Sequence, residues 1–163
     1  MKIRYNFVCL IMFMLLGLAA CTSPDEHIDA QFKTLPQVDS TLLYEYGAAY
    51  SSATGDCGGR FQDRWYGTSM SAADVRKVFL DYISHNGWSI WPEEVVEIWS
   101  QEGKDGLYRM GMDVFSDPAS ISQQQADYKL PSSVLIDTTH YQTIYLLSMT
   151  YRSSYAAKKC FGH

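Results

Sequence analysis

The sequence predicts an α+β domain, in which a small antiparallel sheet has one amphipathic helix, residues 71–85, packed on one face. Two patterns support this prediction. Apolar residues recur at helical spacing in 71–85, whereas apolar and polar residues alternate in stretches on either side. A helix with one apolar face needs one partner layer, which a sheet most simply supplies. With 163 residues, 47% hydrophobic and 19% charged, the chain is expected to form one globular domain.

Two strands are predicted before the helix. Residues 42–51 are rich in tyrosine and favour a strand, and a glycine-containing turn follows around Cys57. Residues 60–66 alternate and predict a second strand. Its apolar and polar side chains then lie on opposite sides, with Phe61 and Trp65 on one and Arg60, Gln62 and Arg64 on the other.

Both ends of the predicted helix carry capping signals. Ser71 is a favoured N-cap residue, and Asp74 stands three positions later, as in a variant of the capping box. Asn86-Gly87 ends the helix, because Gly87 can adopt the left-handed conformation beyond a C-cap. The apolar stripe between these caps consists of Val75, Val78, Phe79, Tyr82 and Ile83.

Further strands are predicted after the helix. Residues 88–91 and 95–99 favour strands on either side of Pro92, which fits only at an edge or a bulge. Asp105-Gly106 predicts a hairpin turn into a strand at 107–115. That strand has two unlike faces, with Tyr108, Met110, Met112 and Val114 on the apolar one and Arg109, Gly111 and Asp113 on the wetter one.

The last strand is predicted at residues 141–152, after an irregular stretch that contains Pro118 and Pro131. The resulting order of elements resembles the split βαβ, ferredoxin-like arrangement, with a degraded second helix. The succession Tyr66-Gly67-Thr68, helix, Gly87-Trp88 also resembles the layout of small uncharacterised bacterial envelope lipoproteins, a likeness that implies no known activity.

The N-terminus has the layout of an export signal. Lys2 and Arg4 precede an apolar stretch at 7–20, which is shorter than the roughly 20 residues that span a bilayer. The sequence Leu18-Ala19-Ala20-Cys21 resembles the lipobox of bacterial lipoproteins. That resemblance implies removal of residues 1–20, lipidation of Cys21, and attachment to the cell membrane or outer membrane on its exported side. A plain secretory signal or an uncleaved anchor is the alternative.

The remaining chain is expected to have two parts. Residues 21–40 contain two prolines and several acids and are interpreted as the lipidated N-terminus with a flexible tether. In the alternative, this segment packs as an extended arm through Ile28, Phe32 and Leu35. Residues 41–163 are interpreted as a single α+β envelope domain.

Cys57 and Cys160 are the two cysteines that remain if Cys9 is removed with the signal and Cys21 is lipidated. Exported proteins keep disulfides, so a Cys57–Cys160 bridge is predicted. A zinc site would need further ligands at close spacing, and the sequence around these two cysteines does not provide them. We therefore expect neither a metal nor a cofactor.

The charge of the chain argues against nucleic acid as a partner. The formal net charge is −5, and the first 20 residues contain Lys2 and Arg4 but no acid, so the exported part is more acidic still. Phosphate binding needs clustered basic residues. The sequence also contains no GxSxG, HExxH, CxxC or Walker A motif, so it gives no direct sign of catalysis.

Two functional hypotheses remain from the sequence. The first is a non-catalytic binding or accessory domain for a protein or a cell-wall partner. The second is a small envelope hydrolase that uses His140 with neighbouring Asp137 and Thr139, although catalytic triads depend on geometry rather than on proximity in sequence. The acidic residues Glu93, Glu94 and Glu97 are interpreted as edge-strand charges.

The aromatic residues are the class most suggestive of binding. An exposed set of them would form a platform for glycan or peptide, but filling of the core is the favoured interpretation. The residues concerned are Tyr44, Tyr46, Tyr50, Trp65, Tyr66, Trp88, Trp91 and Trp99.

Overall fold

The computed structural model describes residues 23–36, 38–51, 58–90, 98–116, 121 and 140–161. Within these residues the chain forms three helices and six strands. In chain order they are α1 (Pro24–Thr34), β1 (Ser40–Tyr50), β2 (Gly59–Thr68), α2 (Ala72–His85), β3 (Ser89–Ile90), β4 (Ile98–Gly103), β5 (Gly106–Phe115), β6 (Thr143–Ser153) and α3 (Ser154–Phe161).

The strands form one antiparallel sheet in the order β1-β2-β6-β5-β4-β3. The predicted α+β class with an antiparallel sheet is confirmed. The split βαβ detail is not, because β2 and β3, which flank α2, are separated by three strands. The expectation of one helix is not confirmed either, since α1 and α3 accompany α2 in the described part of the chain.

The predicted helix is confirmed as α2, together with its caps. The Ser71 hydroxyl accepts a hydrogen bond from the backbone N–H of Asp74 at 3.2 Å. Gly87 follows the C-cap residue with a φ of 73°, as a left-handed helix end requires. Val75, Phe79 and Ile83 are buried, so the apolar stripe faces the sheet as its spacing predicts.

The hairpin between β4 and β5 is confirmed, but its turn lies one residue earlier than the Asp-Gly signal indicates. Gly103 pairs with Gly106, so the turn residues are Lys104 and Asp105. Gly106 belongs to the strand, where an added Cβ would overlap the backbone carbonyl oxygen of Arg152 on β6. The glycine is therefore required by the close approach of two strands rather than by the turn.

The expectation of a flexible tether over residues 21–40 is wrong for α1. Ile28 is fully buried, and Phe32 and Leu35 are each 5% exposed in the core that α2 shares. The alternative interpretation named the three residues that pack in the core, but Ile28 and Phe32 do so from a helix, and only Leu35, just after that helix, has an extended backbone. Ser23 and Glu26 close a capping box at its start, so the sequence contained a helix signal that the tether interpretation overlooked.

Ion pairs also hold α1 on the sheet. Asp25 forms a bidentate pair with Arg60 on β2, with both N–O distances 2.7 Å. Arg64, on the same face of β2, pairs with Asp29, and its guanidinium carbon lies 4.1 Å from the centroid of the Phe32 ring. The basic face of β2 therefore receives the acidic and aromatic residues of α1, because charge pairing and ring stacking satisfy the half-buried arginines.

Helix α3 follows β6 directly and lies beside the β4–β5 hairpin. The backbone N–H of Ser154 donates to the carbonyl oxygen of Asp105 at 3.1 Å, and Ala156 and Ala157 are buried. No helix in the described part of the chain is long and apolar enough to cross a membrane.

The first prediction tests whether α1 is part of the core. Ile28→Ala should lower the free energy of unfolding by about 2–5 kcal/mol, because it removes a fully buried side chain and leaves a cavity. Lys33→Ala, at an exposed position of the same helix, is the control and should change it by less than about 0.5 kcal/mol. Urea denaturation measures both, and equal stability of the two variants would contradict the packing of α1.

Candidate functional site

The two faces of the sheet differ in what covers them. The face toward α1 and α2 carries the main core, including Tyr145, Leu147 and Met149 of β6. The opposite face has a smaller apolar cluster, in which Trp65, Ile144 and Leu146 pack with Ile121. Beyond that cluster, toward the ends where β1 finishes and β2 begins, this face carries both polar and apolar side chains, which line an open groove.

The groove has a volume of about 310 Å³ and runs across five strands, β1, β2, β6, β5 and β4. Its lining combines two guanidinium groups, three hydroxyls, two aromatic rings and an aliphatic side chain. The described residues that line it are Tyr50, Phe61, Ile98, Arg109, Gly111, Ser148, Thr150 and Arg152.

Strand register brings these residues together. Thr150 of β6 pairs with Phe61 of β2 on one side and with Arg109 of β5 on the other. One row further along the strands, Ser148 pairs with Gly111 of β5. Because directly paired residues point to the same face of a sheet, the groove floor is fixed by backbone hydrogen bonds.

Gly111 makes room at the centre of the groove. It has no side chain, and a Cβ built there would meet only the Cβ of Ser148, at 3.9 Å, within 4 Å. That distance is an ordinary van der Waals contact, so larger side chains at this position would enter the groove rather than collide with the backbone.

Arg152 closes one end of the groove. Its Nε donates to the hydroxyl of Tyr50 at 2.7 Å, and its guanidinium carbon lies 5.3 Å from the centroid of the same ring. Arg109 and Arg152 also take part in further interactions within the protein, which restrict their side chains. A guanidinium has five N–H donors, so such a side chain can bind a ligand oxygen while it keeps its protein partners.

Asp63 lies on the same face in the row of Ser148 and is only 8% exposed. Burial raises the pKa of its carboxyl group above the ordinary value of 3.8, since the charged form loses hydration. The hydrogen bond with Ser148 acts in the opposite direction, and the nearby carboxylate of Asp113 raises the pKa further. A negative charge at this position is therefore less favourable than in water.

Chemically, the groove is suited to binding a polar group. Its guanidinium and hydroxyl donors match carboxylate oxygens, while Phe61 and Ile98 provide apolar walls. Within the described ranges, no group of three or more His, Cys, Asp or Glu residues is placed to hold a metal ion.

The described residues do not show the cluster of Asp137, Thr139 and His140 that the hydrolase hypothesis requires. His140 is exposed just before β6, and Asp137 and Thr139 lie outside the described residues. Outside them also lie Cys21, Cys57 and the side chain of Cys160, so the lipidation and the Cys57–Cys160 bridge stay predictions. Trp91 and the acidic residues Glu93, Glu94 and Glu97 likewise fall outside them.

The core interpretation of the tryptophans is confirmed for the three that are described. Trp65 is fully buried, and Trp88 and Trp99 are 7% and 3% exposed. Tyr46 is 48% exposed beside the groove, with its ring centroid 5.7 Å from that of Phe61. Among the described residues, the exposed aromatic surface beside the groove is thus formed by tyrosine rather than by tryptophan.

The sequence did not predict the groove, although it did predict part of the polar face that lines it. Alternation placed Arg109, Gly111 and Asp113 on the wetter face of β5, as observed. The sequence did not show that Thr150 and Arg152 of β6 stand beside that face, because strand order is set by pairing between distant segments.

Comparisons with known proteins found no relative. No family model, no curated protein and no solved structure matches this chain.

The second prediction concerns the buried carboxyl group. Between pH 3.8 and the higher pKa of the folded state, Asp63 is more protonated in the folded protein than in the unfolded chain. The contribution of Asp63 to the free energy of unfolding therefore falls as the pH rises through this range. Asp63→Asn removes this titration. The stability of the variant relative to the unaltered protein should therefore be higher at pH 7 than at pH 3, as measured by urea denaturation.

Asp81→Asn is the matched control for the pH dependence. Hydrogen bonding and charge attraction from Lys77 lower the pKa of Asp81, so its carboxylate stabilises the fold at neutral pH. The relative stability of Asp81→Asn should accordingly be lower at pH 7 than at pH 3. A pH-independent difference for Asp63→Asn would contradict the assigned cause.

Proposed function

We propose that the protein is a lipid-anchored cell-envelope domain that binds a carboxylate-bearing fragment of the cell wall without chemical conversion. The anchor is diacylglycerol on Cys21, after removal of residues 1–20, on the exported side of the cell membrane or outer membrane. The signal layout and the lipobox-like sequence Leu18-Ala19-Ala20-Cys21 support this anchor. Two or three acyl chains hold a protein on a bilayer, because each buried CH₂ contributes about 0.8 kcal/mol.

The third prediction tests the anchor. Cys21→Ser removes the thiol that would receive the lipid, so the variant should accumulate as an unprocessed precursor without lipid mass. Intact-mass spectrometry of the membrane fraction measures both features. Cys57→Ser is the control and should still be cleaved before Cys21 and lipidated. Mature-length, membrane-bound Cys21→Ser protein would contradict the proposed anchor.

The groove supports the binding function. Its volume of about 310 Å³ lies at the small end of the range for ligand pockets, roughly 300–1,000 Å³, and suits one sugar ring or one amino acid residue. A guanidinium binds a carboxylate through two parallel hydrogen bonds, and Arg109 and Arg152 provide two such groups. Ser148, Thr150 and Tyr50 add hydroxyls that suit the polar groups of a sugar or a peptide.

A cell-wall fragment is favoured over a whole protein surface by the shape of the site. Protein partners bury about 800 Å² on each side of a stable interface, usually on a broad surface. The groove is an open depression of about 310 Å³ on the sheet, and its guanidinium and hydroxyl groups line the same space. Peptidoglycan stem peptides and sugars offer carboxylates and hydroxyls on groups of this size.

The hydrolase hypothesis is the weaker candidate. It depends on a geometry for Asp137, Thr139 and His140, and His140 alone belongs to the described residues. His140 is exposed and is not part of the groove lining. We therefore place the function in the groove rather than at His140.

The fourth prediction tests the groove. Gly111→Leu should fill its centre and abolish binding, since the added side chain enters the open space above Ser148. The probe is a mixture of soluble muropeptides from enzymatically digested peptidoglycan, and the measurement is the change in amide chemical shifts on titration. In the unaltered protein, the shifts should concentrate at Thr150 and its neighbours.

Ala73→Leu is the matched control, because it adds the same apolar group at an exposed position of α2. It should bind muropeptides like the unaltered protein, and both variants should unfold cooperatively. Equal binding by folded Gly111→Leu and Ala73→Leu would contradict the assignment of the groove. Absence of any shift in the unaltered protein would exclude this class of ligand.

A further inference from the structure

The direction of α1 fixes which end of the domain lies nearest the proposed lipid. At the start of α1, Asp25 pairs with Arg60, and the His27 ring stacks on Tyr151 with centroids 4.7 Å apart. Past its C-terminal end, Leu35 lines a small cavity with Tyr145, near the opposite end of β6. The helix thus begins at the end of the sheet where β6 finishes, which we call the anchor end.

The connection from the lipid to α1 is short. Cys21 stands two residues before Ser23, the N-cap residue of α1. Two extended residues span at most about 7 Å. If Cys21 carries the lipid, as proposed above, the anchor end is therefore held within about one headgroup layer of the bilayer, because α1 is packed in the core and leaves no long tether.

Helix α3 lies at the same end. It begins three residues after Tyr151, the residue on which His27 stacks, and its first N–H donates to Asp105 in the β4–β5 turn. It exposes Tyr155, which is 73% accessible, together with Lys158 and Lys159. The Lys159 Nζ atom is 6.0 Å from the centroid of the Tyr155 ring. Lys158 stands three residues after Tyr155 and is therefore its neighbour on the helix surface.

We propose that this surface of α3, made of Tyr155, Lys158 and Lys159, contacts the headgroup region of the membrane that holds the lipid. Tyrosine favours the membrane interface because it combines an apolar ring with a polar hydroxyl. Lysines next to it attract anionic headgroups within a Debye length of the surface. The chain as a whole is acidic, so this contact depends on the lipid to bring α3 to the bilayer. The inference therefore rests on the proposed anchor.

Photo-crosslinking tests this orientation. The full-length lipoprotein is prepared with p-benzoylphenylalanine in place of Tyr155, or in place of Ser69, an exposed residue just beyond the opposite end of β2. Each protein is reconstituted in vesicles of phosphatidylethanolamine and phosphatidylglycerol and irradiated. Mass spectrometry then measures the phospholipid adducts. We expect phospholipid adducts with the protein that carries the probe at position 155, and none with the protein that carries it at position 69.

A charge reversal on α3 tests the contribution of the lysines. Lys158→Glu with Lys159→Glu should lower the adduct yield at position 155. The same change at an exposed pair of α2, Arg76→Glu with Lys77→Glu, should leave that yield unaltered. An equal fall in the adduct yield at position 155 for the two double variants would overturn the role of the lysines of α3.

The intact mass separates this inference from the anchor. Protein without lipid mass on Cys21 would overturn the anchor and, with it, the orientation. Lipid mass on Cys21 together with equal adduct yields at positions 155 and 69, or no adduct at 155, would overturn the contact of α3 alone.

Discussion

The pairing of β6 with two neighbours is the constraint on which the rest of the structure depends. β6 forms an antiparallel ladder with β2 along one edge and with β5 along the other. Without it, the β1–β2 hairpin and the β3–β4–β5 group would be separate pieces with unpaired edges. Since β6 follows all the other strands in the chain, the sheet closes only when a late segment reaches its centre.

Alternate residues of β6 face opposite sides of the sheet, so that one set belongs to the core and the other lines the groove. Tyr145, Leu147 and Met149 point toward the helices and hold the core together. Ser148 and Thr150, which lie between and beyond them, point the other way and form the floor of the groove. A shift of β6 by one residue would exchange these two sets, so core packing fixes the position of every groove residue on this strand.

Helix α1 links the core to the proposed anchor. Its apolar residues Ile28 and Phe32 pack in the core, and its acids pair with Arg60 and Arg64 of β2. With the proposed lipid on Cys21, a packed helix that begins at Pro24 would restrict the orientation of the domain more than a long tether would. If Cys21 carries the proposed lipid, the α3 surface therefore lies at the end of the domain nearest the bilayer.

The sequence by itself determined the features that depend on nearby residues. Helix α2 with its caps, the alternation of β2 and β5, and the hairpin near Asp105 all follow from local spacing and turn chemistry. Local signals were also present for α1, in the capping box of Ser23 and Glu26, but its prolines and acids favoured a tether instead. Only the tertiary structure decided that α1 packs in the core.

Only the tertiary structure decided the strand order and, with it, the position of the groove. The pairing of β6 between β2 and β5 joins segments far apart in the chain, and no local pattern encodes which strands become neighbours. Arg109 and Thr150 therefore meet only because of that pairing. Composition and periodicity specified which residues turn toward a core, but the long-range backbone ladder specified which polar residues share a site.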